Sequence, residues 1–283
     1  MEQLQGPEGA TVEALIEGDG DEAVVFLHAS ASGISQWRTY QHALSDRYVT
    51  AAVHLYGYGG TTPWRRPHRQ RLADQADLVA TVIHAIGRPT HVVGHSFGGA
   101  VALETARQLR DEVVSVAVYE PTAFWVLQTQ VPECWEEISG VVRAVKTGVA
   151  SGDLSGAASG FVDYWARGRQ WERMSDRQRA TVASAMASVA HEADALMSPP
   201  ADPDAWLADV PAPTLVMQAQ DSPAPVRAVA RLLTENGRRQ LHVIDSGGHM
   251  APVTNPGPVL AALPPFLDRS SPSRPLVASA ASR

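Results

Sequence analysis

An α/β fold, with a mostly parallel central sheet flanked by helices and broken by one helical insertion, follows from three features of the sequence. Short apolar runs rich in β-branched residues recur between helical stretches, which is the pattern of βαβ units. One such run leads through Gly94-His95-Ser96-Phe97-Gly98 into a helical segment, so a G-x-S-x-G turn joins a strand to a helix. Between Pro121 and about Ala212 the alternation stops and the sequence reads as helices alone.

The elements take shape in chain order. Ala23–His28 is a buried strand, and Val49–Leu55 is another that ends at the turn Gly57-Tyr58-Gly59-Gly60. Leu72–Ile86 has the spacing of an amphipathic helix and is stopped by Gly87 and Pro89. His91–Gly94, with Thr90 before it, is the strand that enters the turn at Ser96, and a helix over Ala100–Leu109 leaves it. Val113–Tyr119 is the next strand, closed by Glu120-Pro121; Thr214–Ala219 and Gln240–Ile244 complete the sheet.

The insertion holds five of the seven tryptophans. It is read as a lid over the carboxyl edge of the sheet, where open α/β sheets bind ligands. Its aromatics, among them Trp125, Trp135, Trp165 and Trp171, are expected as a group to line an apolar pocket. The chain thus divides into core segments over 1–122 and 211–268, a helical cap over 123–210 and a Ser-, Ala- and Pro-rich tail over 269–283 expected to be disordered.

Composition narrows the function classes. In 283 residues, 45% are hydrophobic and 19% charged, with a net charge of −7 and the two signs interspersed. Neither nucleic acid nor an anionic membrane is the implied partner. No apolar run approaches the roughly 18 residues of a membrane span, and the N-terminus lacks a basic-then-apolar leader. Cys134 is the single cysteine, so no internal disulfide forms, and neighbouring Glu133, Glu136 and Glu137 disfavour its thiolate. The ten histidines show no metal-ligand spacing. The expectation is a cytoplasmic protein without cofactor or metal, acting on a small molecule.

Ser96 between two glycines on a strand–turn–helix is placed as a nucleophile, and a serine hydroxyl needs an adjacent base. Asp245-Ser246-Gly247-Gly248-His249-Met250 follows the last strand and presents His249 on a glycine-rich loop that can swing over the same edge. His95 beside Ser96 reads as a packing or hydrogen-bonding residue, Asp245 as a turn carboxylate, and Arg65, Arg66, His68 and Arg69 as a solvated basic face.

With these residues in place, the chain resembles the α/β-hydrolase superfamily from about Ala23 to Leu267. The resemblance rests on Leu27-His28 with Ser30, Tyr56-Gly57-Tyr58-Gly59, Gly94-His95-Ser96-Phe97-Gly98-Gly99 and Gly248-His249-Met250-Ala251-Pro252. It implies an oxyanion hole formed by the backbone N–H groups of Phe97 and Ser30. Two positions depart from the family pattern: His28-Ala29 replaces the usual His-Gly, and His54 stands where aspartate is frequent.

The acid behind His249 has two candidates. In most members it follows the strand after the lid, where this chain has Ala219-Gln220-Asp221-Ser222-Pro223; if the proline sets the register, Ser222 occupies the aspartate's place and Asp221 lies one residue early. The alternative is Glu120, at the end of the strand after Ser96 and fixed by Pro121. The fungal zearalenone lactonases resemble this chain in carrying the acid there, in a similar Glu-x-Pro-type turn. Glu120 is therefore favoured and Asp221 is the alternative. The expected activity is hydrolysis of an ester or lactone of a fairly apolar small molecule through an acyl-enzyme. Carbon–carbon bond hydrolysis, cofactor-free perhydrolysis, or ligand sensing with little turnover are the alternatives on the same residues.

Overall fold

The computed structural model describes residues 1–209, 213–235, 237 and 239–272. Eight strands form one sheet among them, in the order β1-β2-β4-β3-β5-β6-β7-β8. They are β1 (Glu2–Gln5), β2 (Thr11–Glu17), β3 (Ala23–Leu27), β4 (Val49–Val53), β5 (Thr90–His95), β6 (Val113–Tyr119), β7 (Thr214–Ala219) and β8 (Gln240–Ile244). β1 and β2 pair antiparallel at one edge, β2 joins β4 antiparallel, and every pair from β4 to β8 is parallel. β3, β4 and β5 are buried at every position, as central parallel strands covered on both faces must be.

The period of two along each strand sorts its side chains into two cores. Val25, Leu27, Val92, Val116, Val118 and Val216 meet α2 (Leu72–Ile86), α3 (Phe97–Gln108) and α9 (Ala224–Thr234) on one face. Val24, Phe26, Val93, Ala117, Tyr119 and Met217 meet α1 (Arg38–Leu44) and α11 (Pro256–Ser270) on the other. A short helix, α10 (Ala251–Thr254), precedes α11.

Between β6 and β7 the chain forms α4 (Leu127–Gln130), α5 (Pro132–Ser151), α6 (Leu154–Ala166), α7 (Asp176–Met197) and α8 (Pro203–Asp209). Ser175 caps α7 by accepting from the N–H of Gln178, and Asp153 caps α6 by accepting from that of Gly156. Val145, Ala157, Ala158, Met186 and Val189 give these helices a small core of their own.

The strands and helices expected from sequence are present with ends within a few residues, and the fold is the expected α/β one. β1, β2, α1 and α9 are not among the elements expected from sequence. α11 runs through Arg269 and Ser270, so the expected tail begins later than 269; residues 273–283, to which disorder was assigned, lie outside the described residues.

Candidate active site

Ser96 sits at φ 55°, ψ −118°, a strained conformation for a residue with a Cβ, at the junction of β5 and α3. The flanking glycines make this turn possible. A Cβ on Gly94 would lie 2.2 Å from the carbonyl oxygen of Gly98, and one on Gly98 would lie 2.3 Å from that of Leu27. The turn therefore packs against both its own strand and the end of β3.

His249, Ser96 and Glu120 form one hydrogen-bonded line. Ser96 Oγ is 2.9 Å from His249 Nε2, and Glu120 Oε2 is 2.7 Å from His249 Nδ1. All three residues are buried, Glu120 completely. Glu120 follows the last residue of β6 at φ 45°, and this kink before Pro121 turns its side chain toward the end of β7. There Oε1 accepts from the backbone N–H of Ala219 and from the hydroxyl of Ser222, at 2.8 and 2.5 Å. With its acceptor sites so engaged, the carboxylate has a fixed orientation toward the imidazole.

Asp221, the alternative acid, does something else. Its carboxylate accepts from the N–H groups of Gly248 (2.9 Å) and Gly247 (3.3 Å) and so holds the loop that carries His249. Tyr119 donates its hydroxyl to the carbonyl of Gly248 at 2.7 Å, His95 donates from Nε2 to that of His249 at 2.8 Å, and Tyr40 donates to that of Pro252 at 3.1 Å. The glycine-rich loop is thus pinned along its backbone rather than free to swing. Burial holds His95 well below the ordinary imidazole range, consistent with a neutral ring that donates from one nitrogen.

In the loop after β3, the amide of Ala29 donates to Gln36, that of Ala31 to the hydroxyl of Tyr58, and that of Ser32 to the carbonyl of Ala29. Among the described residues no hydrogen bond engages the amides of Ser30 and Phe97. His28 is fully buried, donates from Nδ1 to the carbonyl of Ala29 and accepts at Nε2 from the N–H of Leu55.

Two cavities meet at this line. The inner one, small at about 30 Å³, reaches Ser96 and Ser30 and is walled mainly by Phe124, Val141, Phe161, Val189 and Leu196. The outer one, about 560 Å³, opens over His249, Gly248 and Met250. Ser30, Phe161 and Trp165 border both. Trp165 lies 4.1 Å from the His249 ring at an interplanar angle of 27°, shielding the imidazole from water. Of the four tryptophans expected at the pocket it alone lines either cavity. Trp125 packs edge-on against Trp206, Trp135 against the main core, and Trp171 against the core of the inserted helices.

A profile of the Alpha/beta hydrolase family matches residues 24–263. The chain belongs to that family. The dihydrolipoyllysine-residue acetyltransferase component of the acetoin cleaving system of Cupriavidus necator is 34% identical over 123 residues, which are 43% of this chain and 32% of that protein. An esterase from Exiguobacterium antarcticum superimposes with a TM-score of 0.74 at 18% identity, covering 94% of this chain and 98% of its own. The enol-lactonase from Burkholderia xenovorans LB400 does so with a TM-score of 0.72 at 16% identity, over 94% and 99%. The matched segments span about a third of the length of the curated relatives, and the solved structures share the fold.

The remaining singled-out residues of this α/β hydrolase lie apart from Ser96. Cys134 is buried on α5, and burial, then Glu133 and Glu137, push its thiol up. The ring of His54 stands 3.6 Å from the Glu13 carboxylate. Arg66 packs over Trp64 and Tyr56 and pairs with Glu8 and Asp74, which makes it more than a solvated face. Asp245 accepts from Gln220. Among the described residues no His, Cys, Asp and Glu group is arranged to hold a metal, and no helix is long and apolar enough to cross a membrane. Sequence reasoning passed over Tyr119 and Tyr40 as loop anchors and Glu192 on α7, which borders the inner cavity.

Proposed function

We propose that this chain is a serine hydrolase that cleaves an ester or lactone of a fairly apolar small molecule through an acyl-enzyme, with α4–α8 as a cap over the site. The observation that carries the proposal is the continuous line from Ser96 Oγ through His249 to Glu120 at the floor of an apolar cavity. An esterase and an enol-lactonase among the structural neighbours agree with the reaction class.

The chemistry follows from the contacts. Glu120 accepts the Nδ1–H of His249 and leaves Nε2 as the base, so Ser96 loses its proton to Nε2 as Oγ attacks the substrate carbonyl. Glu120 stabilises the imidazolium that results. The carbonyl oxygen gathers negative charge, and the amides of Ser30 and Phe97, with the positive end of α3, stand ready to receive it. His249 then returns the proton to the leaving oxygen, giving an alcohol, or the opened chain of a lactone, and acyl-Ser96. Water that loses its proton to His249 attacks the acyl carbon, and His249 passes that proton to Oγ as Ser96 is released with the free acid.

Ser96→Ala and His249→Ala are expected to lower kcat on p-nitrophenyl butyrate by several orders of magnitude with folding intact by circular dichroism. Wild-type turnover by the Ser96→Ala protein would end this reading.

A further inference from the structure

One charged-type side chain stands in the otherwise apolar inner cavity. Glu192 lies on α7, on a stripe with Val189, Ala193 and Leu196, and is 1% exposed. It borders the same cavity as Ser96, Thr122 and Ser30. One carboxyl oxygen, Oε1, accepts the hydroxyl of Tyr58 at 2.6 Å. That hydroxyl in turn accepts the N–H of Ala31 at 2.9 Å, so its own proton is committed to Glu192. The other oxygen, Oε2, has no hydrogen-bond partner among the described residues. Thr122 Oγ1, on the same cavity wall, is likewise buried without one. Polar atoms withdrawn from water this way favour a ligand that restores their hydrogen bonds.

We infer that Glu192 is a specificity-determining residue of the inner cavity, where its Oε2 recognises a hydroxyl group on the otherwise apolar acyl part of the substrate. The inference rests on the hydrolase reading above and names the substrate class within it: hydroxylated apolar esters or lactones.

The choice of a hydroxyl follows from the carboxyl's two states. With Oε1 occupied by a donor, a neutral Glu192 carries its proton on Oε2 and needs an acceptor, whereas an ionised Glu192 needs a donor. An alcohol or phenol hydroxyl serves both, since it donates and accepts. Burial pushes Glu192 up to about 7, while the Ser30 and Tyr58 hydroxyls favour the ionised form, so both states are populated near neutrality. Ser30 influences the carboxyl in this way without completing a hydrogen bond to Oε2.

The test compares p-nitrophenyl 3-phenylpropanoate with its 3- and 4-hydroxyphenyl counterparts, on the wild type, Glu192→Gln and Glu192→Leu. The wild type is expected to favour one hydroxylated isomer in kcat/KM by roughly 10- to 100-fold, mainly through KM. Glu192→Leu should bring that ratio close to one, and Glu192→Gln, which also donates and accepts, should keep part of it. Should the leucine variant not fold, the glutamine variant and the wild-type ratio still decide. Equal wild-type kcat/KM for the plain and both hydroxylated esters would overturn the inference, as would a preference that survives Glu192→Leu. A loss of kcat shared equally by plain and hydroxylated esters would also overturn it, because it would make Glu192 a positioning residue acting through Tyr58 on the Ala31 loop. A different signature marks failure of the hydrolase reading: no ester is turned over faster by the wild type than by Ser96→Ala, and the inference falls with it.

Discussion

Glu120 and Asp221 both serve His249, but through different atoms. Glu120 meets the ring nitrogen, whereas Asp221 accepts the two glycine amides that precede the histidine. Glu120→Gln should therefore cost roughly 10³–10⁴ in kcat on p-nitrophenyl butyrate, since an amide can neither fix the tautomer nor balance the imidazolium. Asp221→Asn should cost less than about tenfold, because Tyr119 and His95 still hold the loop and a surface-exposed hydrogen bond contributes modestly. Ser222→Ala falls between, as Ala219 still donates to Oε1. Parallel losses for Glu120→Gln and Asp221→Asn would contradict this division. The sequence allowed both acids, because reach cannot be read from spacing. Its one positional clue, Ser222 in the aspartate's place, acquires a physical meaning: the hydroxyl there supports a carboxylate supplied by the neighbouring strand. Glu192 was legible in principle as an acidic residue within the apolar stripe of Val189, Ala193 and Leu196. The long helical insertion masked that signal among many charged positions.

At the scale of elements, the strand–turn–helix around Ser96 was readable because its chemistry is local. Its glycines are required by approach distances that any sequence reader can anticipate but not measure. Gly98→Ala places a methyl 2.3 Å from the Leu27 carbonyl oxygen, and β3 cannot yield because it is paired on both sides, with β4 and β5. The expected cost is about 3 kcal/mol, which for a chain of this size lowers the melting temperature by roughly 5–10 °C. Calorimetry on the purified variant checks it, and a melting point within a degree of wild type would show that the turn can relax. β2 carried a weaker signal, Val12, Ala14 and Ile16 alternating with polar residues, and β1 almost none, since three of its four residues are exposed. The parallel strands stood out because burial on both faces demands continuous apolar runs, which an edge strand does not need. Which tryptophan borders the cavities beside His249 depends on helix rotation, and the packing of α6 places Trp165 there.

For the molecule as a whole, the same buried groups set how stability depends on pH. His28, His91 and His95 are fully buried, and burial lowers each: His28 to about 3, His95 well below the ordinary value and His91 in the same direction. In the unfolded chain these rings titrate near 6.5. Below that pH the unfolded state binds protons that the folded state does not, so each ring removes stability as the pH falls, by at most about 1.4 kcal/mol per pH unit. The loss starts near pH 6.5, and for His28 it continues to about pH 3. Glu192 acts in the opposite sense: raised from 4.5 to about 7, it is more protonated folded than unfolded between those values. It therefore supports the fold at the acid end of that window and withdraws the support as pH rises to 7. Two histidines, His28 and His95, outweigh one carboxyl, so the melting temperature should fall as pH is lowered from 7 to 5. Glu192→Gln removes the opposing group and should steepen that fall. It should also gain roughly 3 kcal/mol on the wild type between pH 5 and pH 8. Calorimetry across this range on the two proteins measures both effects. A wild-type profile that is flat from pH 7 to 5 would refute the histidine argument, and a glutamine variant whose profile runs parallel to the wild type would refute the raised titration of the buried Glu192.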